Sequence, residues 1–274
     1  MNTKLNFAFF GTPDVASETL EILKQAGFLP SLIVTATDKP QGRKMILTPP
    51  PVKNWAIHNN IPYLQPDKLD TEFTSKLIAS NCDLFVVVAY GKILPEGIVN
   101  MPKLGSINIH YSLLPKYRGA SPVESAILNG ETETGVSIQK MVYQMDAGAI
   151  IAKEKLTVLP DETAPELRTR LIKIGGELLV KTLPDIMEGK VNETQQMESE
   201  ATFCKKIKKE DGLIDLNDSP EKNYNKFRAY AHWPRTFFFK NEKRIIITKA
   251  KLENDQFVIE KIIPEGGKET DYKN

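Results

Sequence analysis

Asn108 and His110 stand two residues apart in the run Ser106-Ile107-Asn108-Ile109-His110, and a carboxylate, Asp146, follows in an Asp146-Ala147-Gly148 turn. An amide, an imidazole and a carboxylate together suggest chemistry at a carbonyl. Addition to a carbonyl develops an oxyanion and releases a proton from the nucleophile, so it needs a preorganised donor for one and a proton acceptor for the other. Asn108 donates from its amide and His110 donates when protonated. Asp146 is expected to pair with the imidazole and help manage the released proton. No enzyme nucleophile is indicated: neither Cys82 nor Cys204 adjoins these residues, and no Gly-x-Ser-x-Gly elbow is present.

Such groups act only if the backbone aims them together. Side chains alternate along a strand, so Asn108 and His110 share one face while Ile107 and Ile109 take the other. The segment then sits at the carboxyl end of a parallel strand, where open α/β sheets bind ligands.

The elements around it have that pattern. Leu5 to Phe10 reads as a buried first strand, and Gly11-Thr12-Pro13-Asp14 opens a helix with Ala16, Leu20 and Leu23 on one face, ended by Gly27. A second strand covers Ser31 to Thr37. The Pro-, Gly- and Lys/Arg-rich connection from Asp38 to Pro51 reads as a long flexible loop. Further strands are expected at Tyr63, Leu84 to Ala89 and Ser106 to His110, separated by helices around 52–59 and through Leu69, Phe73, Leu77 and Ile78. Ser121-Pro122-Val123-Glu124 has the form of a capping box opening a helix that closes at Gly130. Strands at 135–142 and 149–158 flank the Asp146 turn, and a long helix carries Leu167, Leu171, Ile174 and Leu178.

The fold class expected is α/β: a doubly wound, mostly parallel, Rossmann-like N-terminal domain over 1–188, a polar linker over 189–207, and a small, abridged OB-like β domain over 208–274. In the last, a helix near 221–231 precedes strands at 236–240, 244–250 and 256–263, and residues 265–274 read as a polar tail. Trp55 and Trp233 are read as packing residues, and His58 and His232 as structural.

Composition narrows the function classes. Lys+Arg total 36 and Asp+Glu 35, so a nucleic-acid partner must be held by local basic patches. The two cysteines have no partner at metal-ligand spacing, so neither a disulfide framework nor a metal site is expected. The longest apolar run, Leu84 to Tyr90, is far short of the roughly 20 residues that span a bilayer. No membrane association, a cytoplasmic location and a monomer are expected.

Asn108-x-His110, the following Ser112-Leu113-Leu114-Pro115-x-x-Arg118-Gly119, Asp146-x-Gly148 and the upstream Tyr90-Gly91-Lys92-Ile93-Leu94-Pro95 together resemble the folate-dependent formyltransferase superfamily. The resemblance implies that Asn108, His110 and Asp146 form the transfer site and that 10-formyltetrahydrofolate is the formyl donor. It further implies that Ser112, Leu113, Leu114 and Pro115 contact the folate, with Tyr90 and Leu94 lining a pterin pocket.

The acceptor is suggested elsewhere. Asp38 to Lys53, with its Pro-x-Gly-Arg core and Pro-Val-Lys exit, is similar to an insertion of the superfamily's tRNA-formylating members. By that resemblance Lys39, Arg43 and Lys44 contact initiator methionyl-tRNA, through phosphates or grooves near its single-stranded end. Arg228 to Pro234 resembles the start of those members' C-terminal domain. The alternatives are a sugar N-formyltransferase or a 10-formyltetrahydrofolate hydrolase of the same superfamily, and a non-catalytic RNA- or folate-binding protein. An NAD-dependent reductase is disfavoured because Gly11-Thr12-Pro13 lacks the Gly-x-Gly-x-x-Gly fingerprint.

Overall fold

The computed structural model describes residues 5–42 and 44–273. From the N-terminus, β1 (Phe7–Gly11) leads to α1 (Asp14–Gln25), β2 (Leu32–Val34), β3 (Lys39–Gln41), β4 (Ile46–Thr48), α2 (Pro51–His58), β5 (Tyr63–Leu64) and α3 (Thr71–Ser80). Then come β6 (Leu84–Val88), α4 (Glu96–Val99), β7 (Ser106–His110), β8 (Arg118–Gly119), α5 (Pro122–Leu128), β9 (Glu133–Lys140), β10 (Ile150–Thr157) and α6 (Ala164–Met187). The chain continues through β11 (Phe203–Cys204), α7 (Pro220–Ala229), β12 (Phe237–Lys240), β13 (Lys243–Glu253), β14 (Gln256–Pro264) and β15 (Thr270–Asp271).

Contacts divide the chain into two compact units. One holds Met1–Pro115, Gly135–Glu154 and Leu171–Ala201; the other holds Lys116–Thr134, Lys155–Arg170 and Thr202–Asn274.

The central sheet runs β10-β9-β7-β6-β1-β2-β5. Pairing is parallel from β5 through β2, β1 and β6 to β7, and antiparallel between β7 and β9. The chain winds outward from β1 to β2 and β5, then returns to β6 and β7 on the other side, so the winding reverses between β1 and β6. This is the doubly wound α/β sheet expected, and it leaves the carboxyl ends of β1, β6 and β7 together at one edge.

Strands buried on both faces explain the continuous apolar runs. Phe7 to Phe10 and Leu84 to Val88 are all buried. On one face Ala8, Phe10, Phe85 and Val87 pack with Phe73 and Leu77 of α3 and with Ile98 and Val99 of α4, a short helix not foreseen from the sequence. Against the other face lies α6, whose Gly175 and Gly176 permit close approach. A Cβ at Gly175 would come within 3.3 Å of Tyr111 and Val136, and one at Gly176 within 2.6 Å of Ile22 on α1. Large side chains there would force α6 away from its neighbours.

Two local expectations are corrected. The connection after β2 is not a structureless loop: β3 and β4 pair antiparallel, Lys39 opposite Thr48 and Gln41 opposite Ile46. Its base is tied by Asp38, which accepts hydrogen bonds from Gln65 (2.8 Å) and Lys53 (2.7 Å), and these hold its carboxyl below the usual carboxylate range. The capping box at Ser121 does not form. Ser121 makes no side-chain cap hydrogen bond, its backbone N–H donates instead to Cys204 Sγ at 3.3 Å, and Glu124 is engaged in an ion pair with Arg168. The reciprocal contact occurs instead at the start of α6, where Glu166 accepts from the Thr163 backbone N–H (2.9 Å) and hydroxyl (2.6 Å).

In the second unit β12-β13-β14-β15 form an antiparallel sheet in chain order, the small C-terminal β domain expected. Phe238, Ile245, Ile247 and Ile262 are its buried centre, with Ile214 and, partly buried, Phe227 and Phe257 against them. Irregular register between β13 and β14 near Lys249 adds local twist. Within the stretch expected as a tail, Thr270–Asp271 form the edge strand β15, and the Tyr272 ring stands edge-on to Phe238 at 5.9 Å. Trp233, read as a packing residue, is 51% exposed and so only half covered, whereas Trp55 donates its indole N–H to Glu21 at 3.0 Å.

Candidate active site

The site lies wholly within the first unit and begins with strand register. Val87 on β6 is opposite Asn108 on β7, and on the far side Asn108 is opposite Gln139 and His110 opposite Ser137 on β9. Paired residues point to the same face. The apolar face bearing Phe85 and Val87 therefore turns polar one strand over, as Asn108 and His110, and stays polar in the next, as Gln139 and Ser137. Ile107 and Ile109 fill the opposite face, 0% and 3% exposed.

Asp146 arrives from the turn between β9 and β10. Its Oδ2 lies 3.7 Å from His110 Nδ1. Its Oδ1 accepts a hydrogen bond from Gln139 Nε2 at 3.0 Å, and the same nitrogen is 3.5 Å from Asn108 Oδ1. Asn108 Nδ2 donates to the Val87 carbonyl at 3.0 Å, which sets which way round its amide lies. The three residues singled out in the sequence are thus brought together, with Gln139 between two of them.

The turn carrying Asp146 is held closely. Asp146 adopts φ +51°, a left-handed conformation that Asp tolerates better than most residues. A Cβ on Gly148 would fall 1.7 Å from the Lys140 carbonyl oxygen, so only glycine allows the turn to fold back against the end of β9. Gln196 donates to the carbonyls of Asp146 (2.8 Å) and Gly148 (2.7 Å). It belongs to the polar stretch 189–207, where Thr194 also bridges Ile150.

Ser112 to Pro115 follow β7 directly. Ser112 and Leu114 are fully buried. Ser137 pins the segment twice, donating to the Ser112 carbonyl at 2.8 Å and accepting from the Leu114 N–H at 3.0 Å. Lys153 donates to the Leu114 carbonyl, and burial pushes its pKa down.

The other sequence candidates lie elsewhere. Tyr90 and Leu94 are 2% and 3% exposed within the core beneath α4, and Tyr90 sits edge-on to Phe10 at 5.5 Å. The Tyr90 hydroxyl is buried without a hydrogen-bond partner, and burial pushes its pKa up to about 12. Lys39 and Lys44 are exposed on the β3–β4 hairpin, beside exposed Met45, Ile46 and Leu47. Arg43 lies outside the described residues.

Gln139, Ser137 and Gln196 were missed by sequence reasoning. For the first two a signal existed: Ser137 and Gln139 alternate with Val136 and Ile138, a polar stripe on an otherwise buried strand. Gln196 had none, because it sits in a stretch without periodicity. Among the described residues no cluster of His, Cys, Asp and Glu could hold a metal ion, and no helix is long and apolar enough to cross a membrane.

The chain is similar to known proteins at several levels. Residues 4–183 match the family model described as formyl transferase, and 206–271 match formyl transferase, C-terminal domain. A methionyl-tRNA formyltransferase of Staphylococcus epidermidis is 41% identical over 258 residues, covering 92% of this chain and 83% of that protein. One from Sulfurihydrogenibium is 38% identical over 246 residues, covering 89% and 79%. Among solved structures, an N-formyltransferase from Helicobacter canadensis in complex with folinic acid and dTDP-3-aminofucose superposes with a TM-score of 0.69 at 18% identity, covering 94% of each chain. Methionyl-tRNA formyltransferase from Clostridium thermocellum gives 0.63 at 17%, covering 98% and 100%. At those identities the two structures speak for the fold alone. With both of its domain models matched and relatives near 40% identity over most of its length, the chain belongs to the formyl transferase family.

Proposed function

We propose that this chain transfers the formyl group of 10-formyltetrahydrofolate to the free amino group of initiator methionyl-tRNA. One observation carries the reading: Asn108, His110 and Asp146 converge at the carboxyl edge of the sheet in a chain 41% identical to a methionyl-tRNA formyltransferase. As the amine adds to the formyl carbon, the second N–H of the Asn108 amide and the His110 ring stabilise the developing oxyanion. Asp146 pairs with His110, and the proton lost by the amine is passed by way of this pair to the folate N10 as the C–N10 bond breaks and tetrahydrofolate leaves. In our reading 1–188 carry the chemistry, 189–207 connect, and 208–274 assist in holding RNA.

For the folate, Ser112, Leu113, Leu114 and Pro115 form the contacting segment, with Tyr90 and Leu94 beside the pterin. The resemblance alone assigns Tyr90 and Leu94 this place, since both are buried in the core. For the tRNA, Lys39 and Lys44 supply cationic contacts from an exposed hairpin, and Arg43 joins them by the resemblance. We take the enzyme to be a cytoplasmic monomer that needs no metal.

A sugar N-formyltransferase is the second reading, favoured by the likeness to the Helicobacter canadensis structure. The deciding experiment offers 10-formyltetrahydrofolate with methionyl-tRNA, with a dTDP-amino sugar, or with buffer alone. Formylation that depends on tRNA is expected. Formylated sugar, or formate released without any acceptor, would overturn it. Replacing Lys39 and Lys44 together by Ala should weaken tRNA binding and flatten its salt dependence by about two counterions. An unchanged salt slope removes the hairpin from the interface.

A further inference from the structure

Gln139 is 2% exposed and lies directly opposite Asn108 on the antiparallel ladder, where facing side chains are near neighbours. Its amide nitrogen gives a hydrogen bond to Asp146 Oδ1 at 3.0 Å and comes within 3.5 Å of Asn108 Oδ1. Its amide oxygen is 3.4 Å from Gln196 Nε2, which in turn holds the carbonyls on either side of Ala147. We infer that Gln139 is the positioning residue of the transfer site, setting the Asp146 carboxylate against His110 and aligning the Asn108 amide, with Gln196 closing the network from behind.

The physical reason is division of the carboxylate. With Oδ1 committed to Gln139, Oδ2 is the oxygen presented to His110 Nδ1. A neutral amide does this without placing a second cation in the site, so Asp146 keeps its charge for the imidazole. A lysine or arginine at 139 would compete for that charge, and a hydrocarbon would remove the hydrogen bond to Oδ1. On the other side, Gln139 donating to Asn108 Oδ1 agrees with Asn108 Nδ2 donating to Val87, so one amide orientation satisfies both contacts. The backbone of Asp146, left-handed at φ +51°, also benefits from external restraint, since residues with a Cβ pay a cost to adopt such a conformation. Gln196 supplies that restraint through two short hydrogen bonds.

This inference rests on the formyl-transfer reading, and its test separates the two. Gln139→Leu, Gln139→Glu and Gln196→Ala would be made in the full chain. Circular dichroism and thermal melting would establish folding, and steady-state formylation of methionyl-tRNA would give kcat and KM for 10-formyltetrahydrofolate. The chain has only 3 histidines, so the His110 ring resonances can be assigned by loss in His110→Gln. In folded Gln139→Leu we expect kcat to fall roughly 10- to 100-fold from misplacement of the reacting groups, with KM within about 3-fold. The His110 ring signals should move while those of His58 and His232 stay. Gln139→Glu keeps the shape but puts a carboxyl against Asp146, and should lose at least as much; it carries the test if the leucine variant fails to fold. Gln196→Ala should give a smaller loss of the same kind. Unchanged kcat together with unmoved His110 signals would overturn the role of Gln139. Should the wild-type chain formylate no methionyl-tRNA, the functional reading fails, and the ring signals alone then decide: moved, they support the positioning role; unmoved, they refute it.

Discussion

His110 Nδ1 and Asp146 Oδ2 stand 3.7 Å apart, both side chains largely shielded at 7% and 17% exposure. That separation suits an ion pair and exceeds a good hydrogen bond, which suggests that the pair tightens when substrate excludes the remaining water. Asp146→Asn removes the charge and one of the two acceptor oxygens while keeping the backbone, since asparagine tolerates the left-handed turn. It should fold normally and lose at least about 100-fold in kcat. Asn108→Ala and His110→Ala should lose comparable amounts. Near-normal turnover in any one of them, with a native melting profile, would remove that residue from the chemistry.

Gly148 tests the turn itself. An alanine methyl group would sit 1.7 Å from the Lys140 carbonyl oxygen, so the backbone must move. Gly148→Ala should destabilise the protein by roughly 3 kcal/mol and depress kcat further by displacing Asp146. Chemical denaturation and kinetics together check this. A variant of native stability would show that the turn has slack the geometry does not suggest.

Ser137 tests the segment after β7. Ser137→Ala removes the acceptor of the buried Leu114 N–H and a donor to Ser112. A loss of roughly 1 to 3 kcal/mol is expected, as for any buried donor left unpaired. If Ser112 to Pro115 contact the folate, KM for 10-formyltetrahydrofolate should rise about 10-fold, with kcat less affected. Ser137→Thr, which keeps the hydroxyl, should restore most of it. An unchanged KM would separate this segment from folate binding.

Tyr90 provides the pH-dependent prediction. Its pKa is raised in the folded state, by burial, from 10.0 to about 12. A raised pKa means that the folded protein keeps the proton longer than the unfolded chain. The associated stability is therefore fully present below about pH 10 and lost as the pH climbs through 12. Tyr90→Phe should remove that share of the alkaline decline. At pH 7 it also deletes a buried hydroxyl with no partner, and should stabilise by about 1 kcal/mol. Urea melts at pH 7 and pH 11 would show both effects. Weaker folate binding in the same variant would indicate that the hydroxyl meets the ligand. Destabilisation at pH 7 without any change in folate binding would contradict both points.

Much of this was legible along the chain because it depends on short-range periodicity. The two-residue spacing of Asn108 and His110 already put them on one face, and the bulky runs at β1 and β6 already marked strands buried on both sides. Single-residue conformational rules worked equally well: Gly27 and Gly130 take positive φ where helices were expected to stop. Local rules failed where a distant partner outcompeted the local one, and where pairing within a segment was not recognised. Glu124 was spaced to cap α5 but pairs with Arg168, and the basic connection after β2 became a hairpin because its own backbone groups could pair.

What the sequence determined by itself, then, is the α/β class, the strand bearing Asn108 and His110, and the chemical kinds of group available for acyl transfer. All of these follow from residue identity and periods of two or three to four residues. Tertiary structure alone decided that β9 runs antiparallel beside β7, so that Gln139 faces Asn108 and reaches Asp146, and that Gln196, some fifty positions beyond the turn, holds that turn in place. Strand order and register arise from packing of the whole sheet, and no local pattern encodes which strand will lie next to which.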